Sequence, residues 1–149
     1  MGREVRRVPA DWQHPKDCSG KYTPLFPGED YPPRAKEFIE LIKSKGLQEA
    51  IEECGAPDIN DYTPNWPDHE RTHLMMYETT SEGTPISPAF ATPEKLARWL
   101  ADTNASAFGG MTASYESWLR IARGGFAPSA VYTPQTGLIS GVEANLAKM

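Results

Sequence analysis

Apolar residues recur along the middle of the chain at the spacing of a helix. Phe38, Leu41 and Ile42 follow the i, i+3, i+4 pattern, with charged residues between them. Such a pattern buries one face of a helix and leaves the other in water. It predicts a helix over 34–54 that Gly46 breaks or kinks.

Two more helices are predicted in the second half of the chain, over about 93–103 and 113–123. The first begins at Thr92, whose hydroxyl suits the N-cap, and Pro93 follows at the first helical position. In the second, Trp118 belongs to an apolar stripe that ends before a pair of glycines.

Four short strands are predicted as two hairpins. The segment HLMMYETT, residues 73–80, has the alternation expected of a strand with one buried face. Residues 86–90 can form the second strand of the hairpin after a turn rich in hydroxyl groups. Pro85 and Pro88 lack N–H donors, so this return strand must lie at a sheet edge or pair irregularly.

The second predicted hairpin pairs 130–133 with 138–142 around the turn PQTG, where Gly137 can supply a positive φ. From residue 73 onward the order is strand, strand, helix, helix, strand, strand. This order predicts an α+β fold in which a small antiparallel sheet of hairpins packs on helices.

Residues 1–33 contain six prolines and no helical period, so we expect an extended arm followed by a single α+β domain over 34–149. Four aromatic residues of the arm are candidate anchors for a partner or for the arm's own domain. They are Trp12, Tyr22, Phe26 and Tyr31.

The distribution of charge along the sequence indicates which class of partner is favoured. The chain of 149 residues has a net charge of −5, and 29–82 hold thirteen Asp and Glu against five Lys and Arg. An acidic middle repels phosphates, so nucleic acid is disfavoured and a basic protein surface is the better match. The candidate charge contacts are Glu49, Glu52, Glu53, Asp58 and Asp61.

Hydrophobic runs in the sequence are short. None approaches the roughly 20 residues needed to cross a bilayer, and the N-terminus lacks the apolar core of a secretory signal. The two cysteines form no CxxC pair. These features predict a cytoplasmic protein with reduced thiols and no membrane partner.

The pentapeptide HERTH is the strongest catalytic motif in the sequence. It matches H-E-x-x-H, in which a helix would place His69 and His73 on one face for zinc, with Glu70 as general base. Upstream prolines and the strand pattern downstream favour a loop that leads into a strand, which would hold the imidazoles about 13 Å apart.

A zinc site at HERTH would also need a third ligand, for which His14, Asp68, Glu78 and Glu82 are candidates. We therefore expect no cofactor, with a zinc-dependent hydrolase as the alternative. No nucleophile elbow, phosphate-binding loop or calcium loop is present in the sequence.

Several long strings resemble a known group of proteins. REVRRVPADWQHP, WPDHERTHLMMYETTSEGTPISPAFATPEKLARWLADT, ASAFGG and APSAVYTP with GLISGVEA are similar to small proteins of bacteriophages and prophages that have no assigned activity. The resemblance covers the two ends and nearly all of 66–144. It implies a phage accessory protein acting in a bacterial host, and it supplies no catalytic residues.

Together these observations predict a non-enzymatic phage or prophage protein that binds a host or phage protein. Inhibition of a host defence protein is one version of this hypothesis. A zinc hydrolase and a minor virion or assembly component are the alternatives.

Overall fold

The structure, a computed structural model, describes residues 2–124, 126–128, 130–135 and 137–143. Its helices are α1 (Tyr31–Lys45), α2 (Leu47–Cys54), α3 (Pro93–Asp102) and α4 (Tyr115–Gly124). Its strands are β1 (Gly2–Val8), β2 (His73–Glu78), β3 (Thr84–Pro85), β4 (Phe126–Pro128), β5 (Ala130–Thr133) and β6 (Gly137–Ser140). The predicted α+β class is confirmed.

A four-stranded antiparallel sheet has the strand order β3-β2-β1-β4. β1 pairs along its length with β2, so that Arg3 faces Glu78 and Val8 faces His73. The prediction of an extended arm is therefore wrong for residues 2–8, which form an inner strand. β4 was not predicted either.

The hairpin predicted after HERTH is present in a ragged form. β3 is only two residues long and lies at the sheet edge, and Phe90 returns to make an isolated bridge with Leu74. The prolines explain this, because a residue without an N–H cannot donate to a ladder. The second predicted hairpin is confirmed as β5 and β6, with Gly137 at a φ of 70°.

The main core lies where α3 and α4 pack against the sheet. Met76 of β2, Leu96 and Leu100 of α3, and Trp118 of α4 are fully buried there. α3 begins as predicted, since the Thr92 hydroxyl accepts a hydrogen bond from the amide of Lys95.

The chain divides into two compact units, and the division differs from the predicted one at residue 33. One unit comprises the described residues of Met1–Thr23 and Pro67–Met149 and contains the strands, α3 and α4; we call it the sheet unit. The other, Pro24–Trp66, contains α1 and α2 and is called the helical unit.

The helical unit is inserted in the sequence between β1 and β2. Phe38 of α1 and Ala50 of α2 are buried in it, and the two helices are separated at Gly46, whose φ is 87°. The predicted helix over 34–54 is thus two helices, because only glycine adopts this backbone conformation readily. Within the described ranges, no helix combines the length and the apolarity needed to span a membrane.

Candidate binding surfaces

The helical unit carries the chain's entire net charge. Its nine Asp and Glu outnumber four Lys and Arg, whereas the rest of the sequence has eleven of each. All five acidic residues predicted as contacts, and two of the four aromatic ones, belong to this unit. The predicted set is therefore divided between two units.

α2 presents apolar and acidic side chains to solvent together. Leu47 and Ile51 lie four residues apart, hence on one helix face, with 56% and 43% of their surface exposed. Glu49, Glu52 and Glu53 are exposed between and beyond them. Neighbouring exposed apolar side chains that are bordered by charged residues are a feature of binding surfaces.

Two of these carboxylates have partners within the helical unit. Glu53 accepts a hydrogen bond from Lys45 at 3.0 Å, and Glu52 accepts one from Gln48 at 2.9 Å. Both contacts are exposed, so they contribute little stability and can be exchanged for contacts with another molecule.

Asp58 and Asp61 flank a further exposed apolar residue. Asp58 caps the short 3₁₀ helix Ile59–Asp61 by accepting a hydrogen bond from the amide of Asn60 at 2.9 Å. Ile59, the first residue of that turn, has 62% of its surface exposed. The turn therefore repeats the combination of carboxylates and aliphatic surface seen on α2.

The aromatic residues Phe26 and Tyr31 pack within the helical unit. Both rings contact Tyr62, with centroids 5.6 and 5.3 Å away. Tyr31 is half-buried by this arrangement, while Phe26 keeps 43% of its surface exposed. Of these two predicted anchors, Phe26 is the more available for a partner.

The other two aromatic residues, Trp12 and Tyr22, belong to a cluster around His14 in the sheet unit. The hydroxyl of Tyr77 lies 2.9 Å from His14 Nδ1 and 3.1 Å from Trp12 Nε1. His14 Nε2 lies 2.6 Å from the carbonyl oxygen of Thr23. Tyr22 packs edge-on against the imidazole.

These contacts determine which atoms of the His14 cluster carry a hydrogen and which accept one. A carbonyl oxygen only accepts, so Nε2 of His14 carries the hydrogen that is donated to Thr23. In the neutral imidazole Nδ1 is then the acceptor, and the Tyr77 hydroxyl donates to it while accepting from the indole N–H of Trp12. The result is one directed chain of hydrogen bonds.

Burial governs the titration of this cluster. It lowers the pKa of His14 below the ordinary value of 6.5; the Thr23 hydrogen bond opposes this shift and the charge of Arg6 adds to it. Burial also raises the pKa of the Tyr77 hydroxyl. Both groups are therefore neutral near pH 7, as the hydrogen-bond directions require.

Beside the cluster is a cleft of about 560 Å³. Trp12, Tyr22 and Lys16 line one side, Trp99 of α3 contributes an indole, and the segment from Pro85 to Ala89 forms another wall. The sequence did not reveal this cleft, because its walls come from four parts of the chain that are brought together only by the fold.

HERTH does not form a continuous helix. His69 and Glu70 lie in the 3₁₀ helix Asp68–Glu70, Arg71 leaves it with a ψ of 67°, and His73 is the first residue of β2. Over the part of the chain that the structure describes, no three His, Cys, Asp or Glu residues are grouped as metal ligands. The ring nitrogens of the possible third ligand His14 are already hydrogen bonded.

Three arginines lie near the N-terminus, and two of them are buried inside the sheet unit. Arg3 is buried and donates to the carbonyl of Ser106 at 3.1 Å. Arg6 is buried with its guanidinium 4.2 Å from the centre of the Tyr77 ring, and it pairs with Glu4 at 2.8 Å. Only Arg7 of the three is largely exposed.

Comparison with protein-family models, with curated proteins and with solved structures finds no match for this chain.

Proposed function

We propose that this protein is a non-enzymatic binding protein and that its helical unit docks on a basic surface of another protein. The observation that carries the proposal is the exposed face of α2, where Leu47 and Ile51 lie among three glutamates. Apolar area supplies affinity when it is buried, and the surrounding charge selects and orients the partner.

The charge distribution supports a basic protein as the partner. A net charge of −5 confined to one unit produces a local negative potential that attracts Lys and Arg side chains from a distance. The same potential repels nucleic acid. Exposed aliphatic groups need an apolar counterpart, which a protein surface offers and a polyphosphate does not.

The sequence strings described above, which resemble phage and prophage proteins, suggest that the protein acts in a bacterial host. In that setting the partner is a host or phage protein, and inhibition of a host defence protein would follow if the docked surface includes that protein's own functional site. A place in the virion is the alternative setting, and mass spectrometry of purified particles distinguishes the two.

The test is capture from a bacterial lysate at low salt, followed by measurement with the purified partner. We expect a basic protein that binds with defined stoichiometry in calorimetry and weakens as salt rises, since exposed charge pairs are screened. The double variant Leu47→Ser/Ile51→Ser and the charge variant Glu49→Gln/Glu52→Gln should each weaken binding about tenfold or more.

The matched control is Leu138→Ser, which removes a similarly exposed leucine from the sheet unit. It should bind like the wild type. If both α2 variants bind the partner as tightly as Leu138→Ser does, the helical unit is not the docking surface. If nothing basic is retained at low salt, the proposed partner class is wrong.

A further inference from the structure

The cleft in the sheet unit has the size of a small-molecule site. Its volume of about 560 Å³ falls inside the range of roughly 300–1,000 Å³ that is usual for ligand pockets. Three aromatic side chains line it, Trp12 and Tyr22 from the N-terminal segment and Trp99 from α3. Such walls favour a ligand with a flat apolar body.

One wall of the cleft is held in place before any ligand arrives. The indole N–H of Trp12 donates to the Tyr77 hydroxyl, which donates to His14, which donates to Thr23. His14 and Tyr77 are buried, so the hydrogen bond between them is shielded from competing water. A preformed wall reduces the ordering cost of binding.

Lys16 gives the cleft a positive charge. Among the described residues that line the cleft, it is the only Lys, Arg, Asp or Glu. Its ammonium lies 5.0 Å from the centre of the Tyr22 ring. No carboxylate pairs with it anywhere in the described ranges.

The wall formed by the segment from Pro85 to Ala89 argues against an extended peptide as the occupant. Pro85 and Pro88 have no N–H, and the amide of Ile86 already donates to the carbonyl of Met76. A peptide strand added here would find few donors for a ladder. The cleft is thus better suited to a compact ligand.

We propose that this cleft binds a small planar anion, an aromatic carboxylate or a molecule of the same chemistry. The flat body lies against the indoles of Trp12 and Trp99, and the anionic group pairs with Lys16. This site is separate from the docking surface proposed for the helical unit, and neither depends on the other.

The test uses two probes of equal size, 2-naphthoate and the neutral 2-naphthalenemethanol, added to the full chain. Each tryptophan gives one indole N–H signal in a nitrogen–proton NMR spectrum. We expect 2-naphthoate to shift the signals of Trp12 and Trp99 saturably and to leave that of the buried Trp118 in place. It should bind about three- to fivefold more tightly than the alcohol, the effect of one exposed charge contact.

The variants locate the anion contact. Lys16→Gln should reduce the preference for 2-naphthoate to about one, while Lys16→Arg retains it. Lys21→Gln, a charge change in the same exposed loop outside the cleft, is the matched control and should retain it too. The Trp118 signal reports that each variant is folded.

Three results would overturn the proposal. The first is the absence of a saturable shift at Trp12 and Trp99 with 2-naphthoate at millimolar concentration. The second is equal affinity of the wild type for the two probes. The third is an unchanged preference in Lys16→Gln.

Discussion

The hydroxyl of Tyr77 hydrogen bonds to both Trp12 and His14, so its removal gives a quantitative test of the His14 cluster. Tyr77 is fully buried, and its hydroxyl accepts from Trp12 and donates to His14. Tyr77→Phe keeps the ring beneath the guanidinium of Arg6. It removes the hydroxyl that donates to the imidazole and accepts from the indole N–H.

The expected loss of stability follows from how buried those two groups are. An unsatisfied buried polar group costs about 1–3 kcal/mol. His14, only 8% exposed, should incur a cost within that range. Trp12 is half-buried beside the cleft, where water can replace the lost bond, so its cost is small. We expect Tyr77→Phe to lower the free energy of unfolding by about 2 kcal/mol.

Urea unfolding followed by tryptophan fluorescence measures this loss, since three of the four tryptophans lie in the sheet unit. With a urea dependence of about 2 kcal/mol per molar, the midpoint should fall by about 1 M. Tyr115→Phe is the matched control. Its ring keeps the contact with Arg98 at 4.0 Å, and its hydroxyl has no hydrogen-bond partner among the described residues. Equal midpoints for the two variants would refute the reasoning.

Three further outcomes are expected. Thr92→Ala should lower the free energy of unfolding by about 1 kcal/mol in thermal unfolding, because it removes the N-cap of α3, and Thr92→Ser should restore it. Gly28→Ala should lower the free energy of unfolding by about 2 kcal/mol, since its Cβ would collide with the backbone carbonyls of Thr63 and Pro64. Gly110→Ala meets no atom and should be neutral. Hydrogen exchange of the amides in the helical unit should be faster in Gly28→Ala and unchanged in Gly110→Ala. Burial lowers the pKa of His14, so the folded state binds its proton less readily than the unfolded state does. Stability should therefore be lost as the pH falls through 6.5, and unfolding of His14→Gln across about pH 7 to 5 should lack this component.

The elements that sequence patterns predicted are those whose causes are local. The start of α3 depends on Thr92 and Pro93, and the break between α1 and α2 depends on Gly46; both signals lie within the element itself. The ragged edge at β3 likewise follows from the missing N–H of Pro85. A pattern within a few residues is sufficient for each.

β1 was missed because its stability comes from distant residues. Three arginines in seven residues are typical of a solvated arm. Arg3 is nevertheless buried and donates to the carbonyl of Ser106, and Arg6 is buried against the ring of Tyr77. Those partners lie about 70 to 100 positions away in the sequence. The role of His14 was hidden for the same reason, since its partner Tyr77 is 63 positions away and is brought beside it only when the sheet forms.

The placement of the helical unit between β1 and β2 has a consequence for folding on the ribosome. β1 is synthesised before β2 and cannot pair with it until His73–Glu78 has been made, and β4 follows some fifty residues later. Closing so long a loop is entropically costly and slow. In the nascent chain, the arginine-rich strand β1 therefore stays unpaired while the whole helical unit is synthesised. Assembly of the sheet should be the late step of folding.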